Sequence, residues 1–474
     1  MYSDFQMKSF AAGEFTWFLN DEDIFPVVRD IVHPEGDRRS YHIREHRGSK
    51  VFIKTFNEKG AVGRIRSLLA PRGRKEYRVA DRLNTLGVPA PAPLGYATGQ
   101  NISAIVEIYI EGRTFLDTFK DADDQGPLLV RLAHFLRFLK EKKVRHDDLH
   151  LDNILVSGGT LYLIDLHKVR IRETFTEADE ITNAKHALGT VYYDIDPRKR
   201  TLFFNAYEAL PTVRQKIADA ITALRDTWVT NKMARAFGDT SIVCREGWRS
   251  SIRGREGAGS GKFVETLKSD RKVKVERYAD HVRKTYTGMH RLKTAWRNHV
   301  VLEYMHKAIT PVVYYVEAPG TGNGFIAMED LTGRGEELDR CLDRNYDAMD
   351  TRERLSFLAG LADFFTGAMA WGITHRDLKA CNIFVLTTGG FLFLDVEDIQ
   401  FQHTSPDILK RLFCQLNNTI PKRVSVRDRM RFYLRLVSIA DCDRKKLFKE
   451  IVAESLKDNI VYEGVSGLVV DSWK

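Results

Sequence analysis

The stretch VRHDDLHLDNILV, residues 144–156, and the stretch ITHRDLKACNIFV, residues 373–385, carry one skeleton 229 residues apart. His146 and His375, Asp148 and Asp377, and Asn153 and Asn382 hold the same places, and an apolar run follows each. Upstream of the first, Leu128, Leu129, Leu132, Phe135, Leu136 and Leu139 recur at helical spacing; Leu355, Leu358, Leu361, Ala362, Phe365 and Met369 do so before the second. Downstream, a Gly turn and a short apolar strand end in an acid both times: GGTLYLIDLHKV with Asp165, and GGFLFLDVEDI with Asp395. A fold for this chain must therefore place helix, polar loop and strand in the same order twice.

The likeness extends upstream. SAIVEIYIEGRTFLDTF parallels GFIAMEDLTGRGEELDRCL, and LNTLGVPAPAPLGY parallels YMHKAITPVVYY. With 474 residues the chain exceeds one compact core. Two homologous domains are expected, 1–235 and 245–474, divided around WVTNKMARAFGDTSIVC.

The loop chemistry narrows the function. A carboxylate at Asp148 can orient and deprotonate a hydroxyl, while the Asn153 amide and the Asp165 carboxylate can hold Mg²⁺. Such a set works by positioning and charge neutralisation, so spacing is the informative signal. A transition-metal site built from His146, Asp148 and His150 competes, but the second stretch has Lys379 where the second His would stand. A polar turn over a core histidine also competes, without accounting for the repeated spacing.

Phosphate binding further needs a lysine on a sheet and a helical acid. SKVFIKTF alternates like a strand and supplies Lys54, and Glu76 follows 22 residues later in a helical pattern. In the second domain a gapless alignment sets Glu276 opposite Lys54 and Asn298 opposite Glu76; with a gap, Lys284 and Glu303 become the candidates. The stretch GREGAGSGKF, 254–263, mimics a Walker A loop, but Glu256 and Phe263 stand where Gly and Ser or Thr are required. No G-x-G-x-x-G covers the first domain near RRSYHIREHRGSK.

Bulk properties fit this picture. The net charge is +9, concentrated in 64–78, 271–297 and 421–435, which suits a phosphorylated substrate or an anionic lipid surface; nucleic acid fits least, for want of any accompanying motif. No run of 18 apolar residues suggests a membrane span. The N-terminal stretch lacks a secretory pattern, and five scattered cysteines read as cytosolic thiols.

These residues together resemble the protein-kinase-like superfamily, and within it the bacterial lipopolysaccharide kinases, the Kdo/heptose kinase group. HDDLHLDNILV with LYLIDLHKVRI carries the likeness in the first domain, and HRDLKACNIFV with AWRNHVVLEYMHKAITP in the second, over roughly 40–170 and 265–400. The resemblance implies an α+β fold of tandem bilobal domains, each with a small antiparallel-sheet N-lobe and a mainly helical C-lobe. It implies ATP and Mg²⁺, with Asp148 and Asp377 as catalytic bases, and Asn153, Asp165, Asn382 and Asp395 as metal ligands. Lys54 and Glu76 become the phosphate-binding pair, with Lys284 as the second domain's candidate. The implied acceptor is a heptose or Kdo hydroxyl of the lipopolysaccharide inner core, or a lipid-linked sugar. The implied location is cytoplasmic, with peripheral contact at the inner face of the inner membrane. The absence of an A-P-E motif favours a sugar over a protein acceptor. The alternatives are a protein Ser/Thr or small-metabolite kinase, with the second domain a regulatory pseudokinase.

Overall fold

A computed structural model describes residues 7–34, 37–58, 70–257, 259, 261–319, 323–437 and 443–473. Residues 64–69 of the first basic stretch and Cys442 lie outside the described residues. The chain divides into two compact units, Met1–Leu224 and Arg225–Lys474. The division falls within the helix Pro211–Ala234, about ten residues before the boundary expected from the sequence. No Gly- or Pro-rich linker marks it, because the helix is continuous there.

Unit one opens with a six-stranded antiparallel sheet. Its strands are β1 (Lys8–Ala12), β2 (Phe15–Leu19), β3 (Arg39–His46), β4 (Ser49–Asn57), β5 (Pro93–Gly99) and β6 (Ile102–Ile108), in the order β1-β2-β5-β6-β4-β3. Trp17, Val51, Ile53, Ala104 and Val106 fill its inner face. The helix Arg72–Thr85 lies on β5 and β6, and its buried face, Gly73, Glu76, Ala80 and Leu83, keeps helical spacing. Pro71 gives this helix no side-chain cap. Its first amides are satisfied from the sheet instead: Arg72 N donates to Glu58 Oε1 at 2.7 Å, and Gly73 N to Ser103 Oγ at 3.1 Å.

A short strand β7 (Arg113–Thr114) leads into a mainly helical region. Helices Gly126–Glu141, Glu177–Gly189 and Pro197–Tyr207 pack around Leu129, Leu132, Leu136 and Leu139, as the apolar periodicity predicts.

Two short strand pairings hold the polar loop. β8 (Val144–His146) pairs with β11 (Val169–Ile171), and between them β9 (Ile154–Ser157) and β10 (Thr160–Leu163) form a hairpin. The loop and the acid after the hairpin are thus fixed at both ends.

Unit two has a seven-stranded antiparallel sheet. Its strands are β12 (Val243–Glu246), β13 (Arg249–Ile252), β14 (Phe263–Ser269), β15 (Val273–Tyr278), β16 (Val282–Tyr286), β17 (Val313–Glu317) and β18 (Gly324–Met328). The order β12-β13-β17-β18-β16-β15-β14 repeats that of unit one with one added edge strand. The helix Met289–Tyr304 buries Leu292, Ala295, His299 and Leu302. A helical region follows, around Thr351–Ala370 and Pro406–Asn417. Here β19 (Gly335–Glu337), β20 (Ile373–His375), β21 (Ile383–Leu386), β22 (Phe391–Phe393) and β23 (Ile399–Phe401) rebuild the frame of β7–β11. The described part of 254–263 runs into the exposed strand β14, and the next helix begins only at Met289. That is not the strand–loop–helix frame of a Walker loop; residues 258 and 260 lie outside the described set.

Candidate phosphotransfer site

In unit one the predicted residues converge. Asn153 Nδ2 donates to the Asp148 carbonyl at 2.8 Å, and Ile164 N to the Asn153 carbonyl at 3.0 Å, which ties the loop to the hairpin. Asp165 follows with φ 55° and ψ 55°, a left-handed conformation uncommon outside glycine. Lys54 Nζ lies 2.5 Å from Asp165 Oδ1 and 3.2 Å from Glu76 Oε2. Burial opposes the Lys54 charge, but Glu76 and Asp165 outweigh it and raise its pKa. Burial likewise disfavours the Asp165 carboxylate, yet hydrogen bonding from His167 and the charge of Lys54 hold it well below the ordinary range.

Sequence reasoning missed three neighbours. Lys168, three residues past Asp165 in DLHK, places Nζ 2.5 Å from Asp148 Oδ2; its hydrogen bond and charge keep that carboxyl ionised against the effect of burial. Arg39 at the start of β3 reaches Asp165 Oδ2 at 3.4 Å, a long-range pairing no local pattern announces. Glu107, partly buried on β6, has its pKa pushed from 4.5 to about 8 by burial and by the charge of Glu76. The unfolded chain loses this proton at a lower pH than the folded one, so stability should fall as pH rises from 4.5 towards 8. Glu107→Gln is expected to flatten that slope. Melting temperatures across pH 5 to 8 check it, and an unchanged slope would refute it.

The donor chemistry suits a hard cation. Asn153 Oδ1, with its amide nitrogen committed to the loop, and the Asp165 carboxylate offer oxygen ligands of the kind Mg²⁺ takes. The competing His146, Asp148 and His150 set does not assemble. His146 is buried and accepts from Asp148 N at 3.1 Å, and His150 Nε2 lies against Asn153 Nδ2 at 3.2 Å. Among the described residues the metal-capable cluster is Glu76, Asp165 and His167, into which Lys54 already projects.

Unit two repeats the loop geometry. Asn382 Nδ2 donates to the Asp377 carbonyl at 2.8 Å, Leu394 N to the Asn382 carbonyl at 2.8 Å, and Asp395 has φ 48°. The cation beside Asp377 is Lys379 at 3.0 Å, from the loop itself. On β16, Lys284 faces Ile326 of β18, as Lys54 on β4 faces Ile105 of β6. Lys284 Nζ lies 2.5 Å from Asp395 Oδ1 and 3.0 Å from Glu397 Oε2. Burial works against its charge, but Tyr286, Asp395 and Glu397 raise its pKa well above the ordinary range.

Glu303, the gapped candidate for the helical acid, is engaged by Arg255 at 2.6 Å, and Glu276, which the gapless alignment set opposite Lys54, pairs with Lys274 at 2.6 Å. Asn298 is not the counterpart of Glu76 either. Gly87 and His306 close the two helices with matching hydrogen bonds to Asn84 and Glu303, and counting back from them sets Ala295 at the place of Glu76. The gapless alignment slipped by nearly one helical turn.

A small antiparallel sheet followed by a mainly helical region, with a sheet lysine bonded to a hairpin acid and a loop amide tied to the loop acid's carbonyl, is the arrangement expected from the sequence for a kinase-like domain. Residues 40–183 match the family model described as the Lipopolysaccharide kinase (Kdo/WaaP) family. Its enzyme class is a phosphotransferase with an alcohol acceptor. No curated protein matches the chain. Among solved structures, "WaaP in complex with acyl carrier protein" aligns at 19% identity and TM-score 0.33, over 44% of this chain and 91% of that one. A co-crystal structure of WbdD and a kinase inhibitor aligns at 17% identity and TM-score 0.27, over 41% of this chain and 45% of that one.

Proposed function

We propose that unit one transfers the γ-phosphoryl group of ATP to a sugar hydroxyl, a heptose or Kdo, of the lipopolysaccharide inner core. The observation that supports this most is that Lys54 is bonded to Asp165, and Asn153 to the Asp148 loop and to the hairpin that carries Asp165, within the segment matching the lipopolysaccharide kinase family. In this reading Asp148 orients the acceptor hydroxyl and takes its proton, and Lys168 beside it offers a positive charge to the transferred phosphoryl group. Lys54, steadied by Glu76, contacts the nucleotide phosphates. Asn153 and Asp165 would hold Mg²⁺, which supplies charge neutralisation along the phosphate chain. Unit two is read as a second kinase-like domain, with Asp377 as base and Asn382 and Asp395 as metal ligands.

The test is transfer of label from γ-labelled ATP, with Mg²⁺, into a lipopolysaccharide core extract. Label in the core oligosaccharide supports the reading. Label only in the protein itself or in added proteins overturns the sugar acceptor, and label only in a small metabolite does the same.

The cytoplasmic, membrane-surface location belongs to this proposal too. Much of the basic charge is locally engaged: Arg423, Arg431 and Arg435 pair with Asp343, Asp428 and Asp363, and Arg277 with Asp330. Arg271, Lys272, Lys293 and Arg427 remain exposed to attract anionic lipid. Binding to vesicles containing anionic lipid should be weak and should fall as salt rises. Salt-insensitive binding would count against it.

A further inference from the structure

Unit two places a carboxylate beside its sheet lysine by a different route from unit one. In unit one the acid comes from the helix, Glu76, and the residue two past the hairpin acid is His167, whose Nδ1 lies 3.8 Å from Glu76 Oε1. In unit two the helix offers Ala295, fully buried, and the residue two past the hairpin acid is Glu397. The helix-to-loop contact is made by different groups. Arg291 of the helix reaches Glu397 Oε1 at 3.2 Å, so the helix now gives the cation and the loop the anion. Tyr286, fully buried, donates to Glu397 Oε2 at 3.1 Å. Asn298 then ties the same helix to the loop through the carbonyls of Val396 and Ile399, at 2.8 and 3.0 Å.

A buried lysine held by two carboxylates needs a reason to stay. If unit two were only a scaffold, replacing Lys284, Asp395 and Glu397 by apolar side chains would be neutral or stabilising. Instead the lysine keeps the strand register of Lys54, the hairpin acid keeps its left-handed backbone, and the acid that steadies the lysine is supplied from another element. Asp395, which faces the Lys284 ammonium, is about one-third exposed.

We propose that unit two is a second binding site for the phosphates of Mg²⁺–ATP, in which Glu397 replaces the helical acid as the positioning residue for Lys284. The inference rests on the phosphotransfer reading of this fold. Because Glu397 and Asp395 belong to one loop, Lys284 is oriented without any acid from the helix Met289–Tyr304. Arg291 and Tyr286 fix the Glu397 carboxylate, and Asn298 fixes the loop that carries it.

The experiment is equilibrium binding of the non-hydrolysable β,γ-imido analogue of ATP, with Mg²⁺, to the full chain. Two analogue molecules per chain are expected, with Lys54→Ala and Lys284→Ala each removing one. In the Lys54→Ala background, Glu397→Gln should weaken the remaining site by about tenfold or more, the loss expected when one charged hydrogen-bond partner of a buried ammonium is removed. Ala295→Glu combined with Glu397→His recreates the arrangement of unit one and should restore binding to within about threefold, since the pairing is then formed anew. That rescue separates positioning from structural support, and it keeps the proposal testable if Glu397→Gln alone fails to fold. One molecule per chain, lost with Lys54→Ala, overturns the second site and leaves the proposed function of unit one standing. Two sites with Glu397→Gln unchanged, or a folded double variant that does not bind, overturn the role of Glu397. No binding at all overturns both readings.

Discussion

Asp148→Asn is expected to lower phosphate transfer to the core acceptor by ~10²-fold or more, the loss typical when a positioned base is removed. The substitution keeps side-chain size and leaves the Asn153-to-carbonyl bond intact, because that bond uses the Asp148 backbone. What is lost is the proton acceptor and the partner of Lys168. The measurement is labelled phosphate in the core oligosaccharide, compared with Asp377→Asn. Loss in the Asp148 variant alone assigns the transfer to unit one and leaves unit two to bind or support. Loss in both means two working or coupled sites. Full activity in both variants would remove the assigned bases from the chemistry.

Gly73→Ala should be nearly as damaging to activity, although Gly73 touches no reacting group. A Cβ there would lie 2.0 Å from the Ala104 carbonyl oxygen and 2.5 Å from its carbon, both backbone atoms of β6 that cannot swing aside. The helix Arg72–Thr85 would have to lift from the sheet, and Glu76 sits one turn further along it. Overpacking of this kind destabilises by about 1–3 kcal/mol. A displacement of roughly 1 Å at a positioning residue can lower turnover about 10²-fold. The expected result is a modest drop in melting temperature with a disproportionate loss of turnover. A drop in melting temperature with unchanged turnover in the folded protein would show that the Lys54–Glu76 pair tolerates the shift.

The two polar loops could be read from the sequence because their chemistry is local. His, Asp, Asn and the hairpin acid lie within about twenty residues, so their spacing survives any change elsewhere. Lys54 was legible for a related reason: strand alternation put it at the end of an apolar run, and Glu76 followed on a helix. The anchor of Lys284 was not legible. The gapless count paired Pro89 with Pro311, whereas the helix ends pair Gly87 with His306, and that three-residue slip is how Asn298 came to stand for Ala295. Glu397 did carry a signal, an acid in LDVEDI where the first stretch has His167, but its partner lies 113 residues away on β16. Lys168 and Arg39 were missed because ion pairs between separate elements leave no periodic trace. The basic stretches overstated the free charge, because charge counted along the chain ignores the acids that folding brings beside it.

The left-handed backbone at Asp165 and Asp395 governs which inactive forms of this protein can be interpreted. A side chain without a local polar group resists that conformation by roughly 1–2 kcal/mol, whereas Asn and Gly accept it. Alanine at either position would therefore relax the peptide between hairpin and loop as well as remove the carboxylate, and a dead enzyme would report both at once. Asparagine holds the chain path and changes only the charge. For a pair of sites meant to be silenced one at a time, that makes the Asn variants the informative controls, and it gives the Ala variants a separate use as probes of how firmly the loop is set.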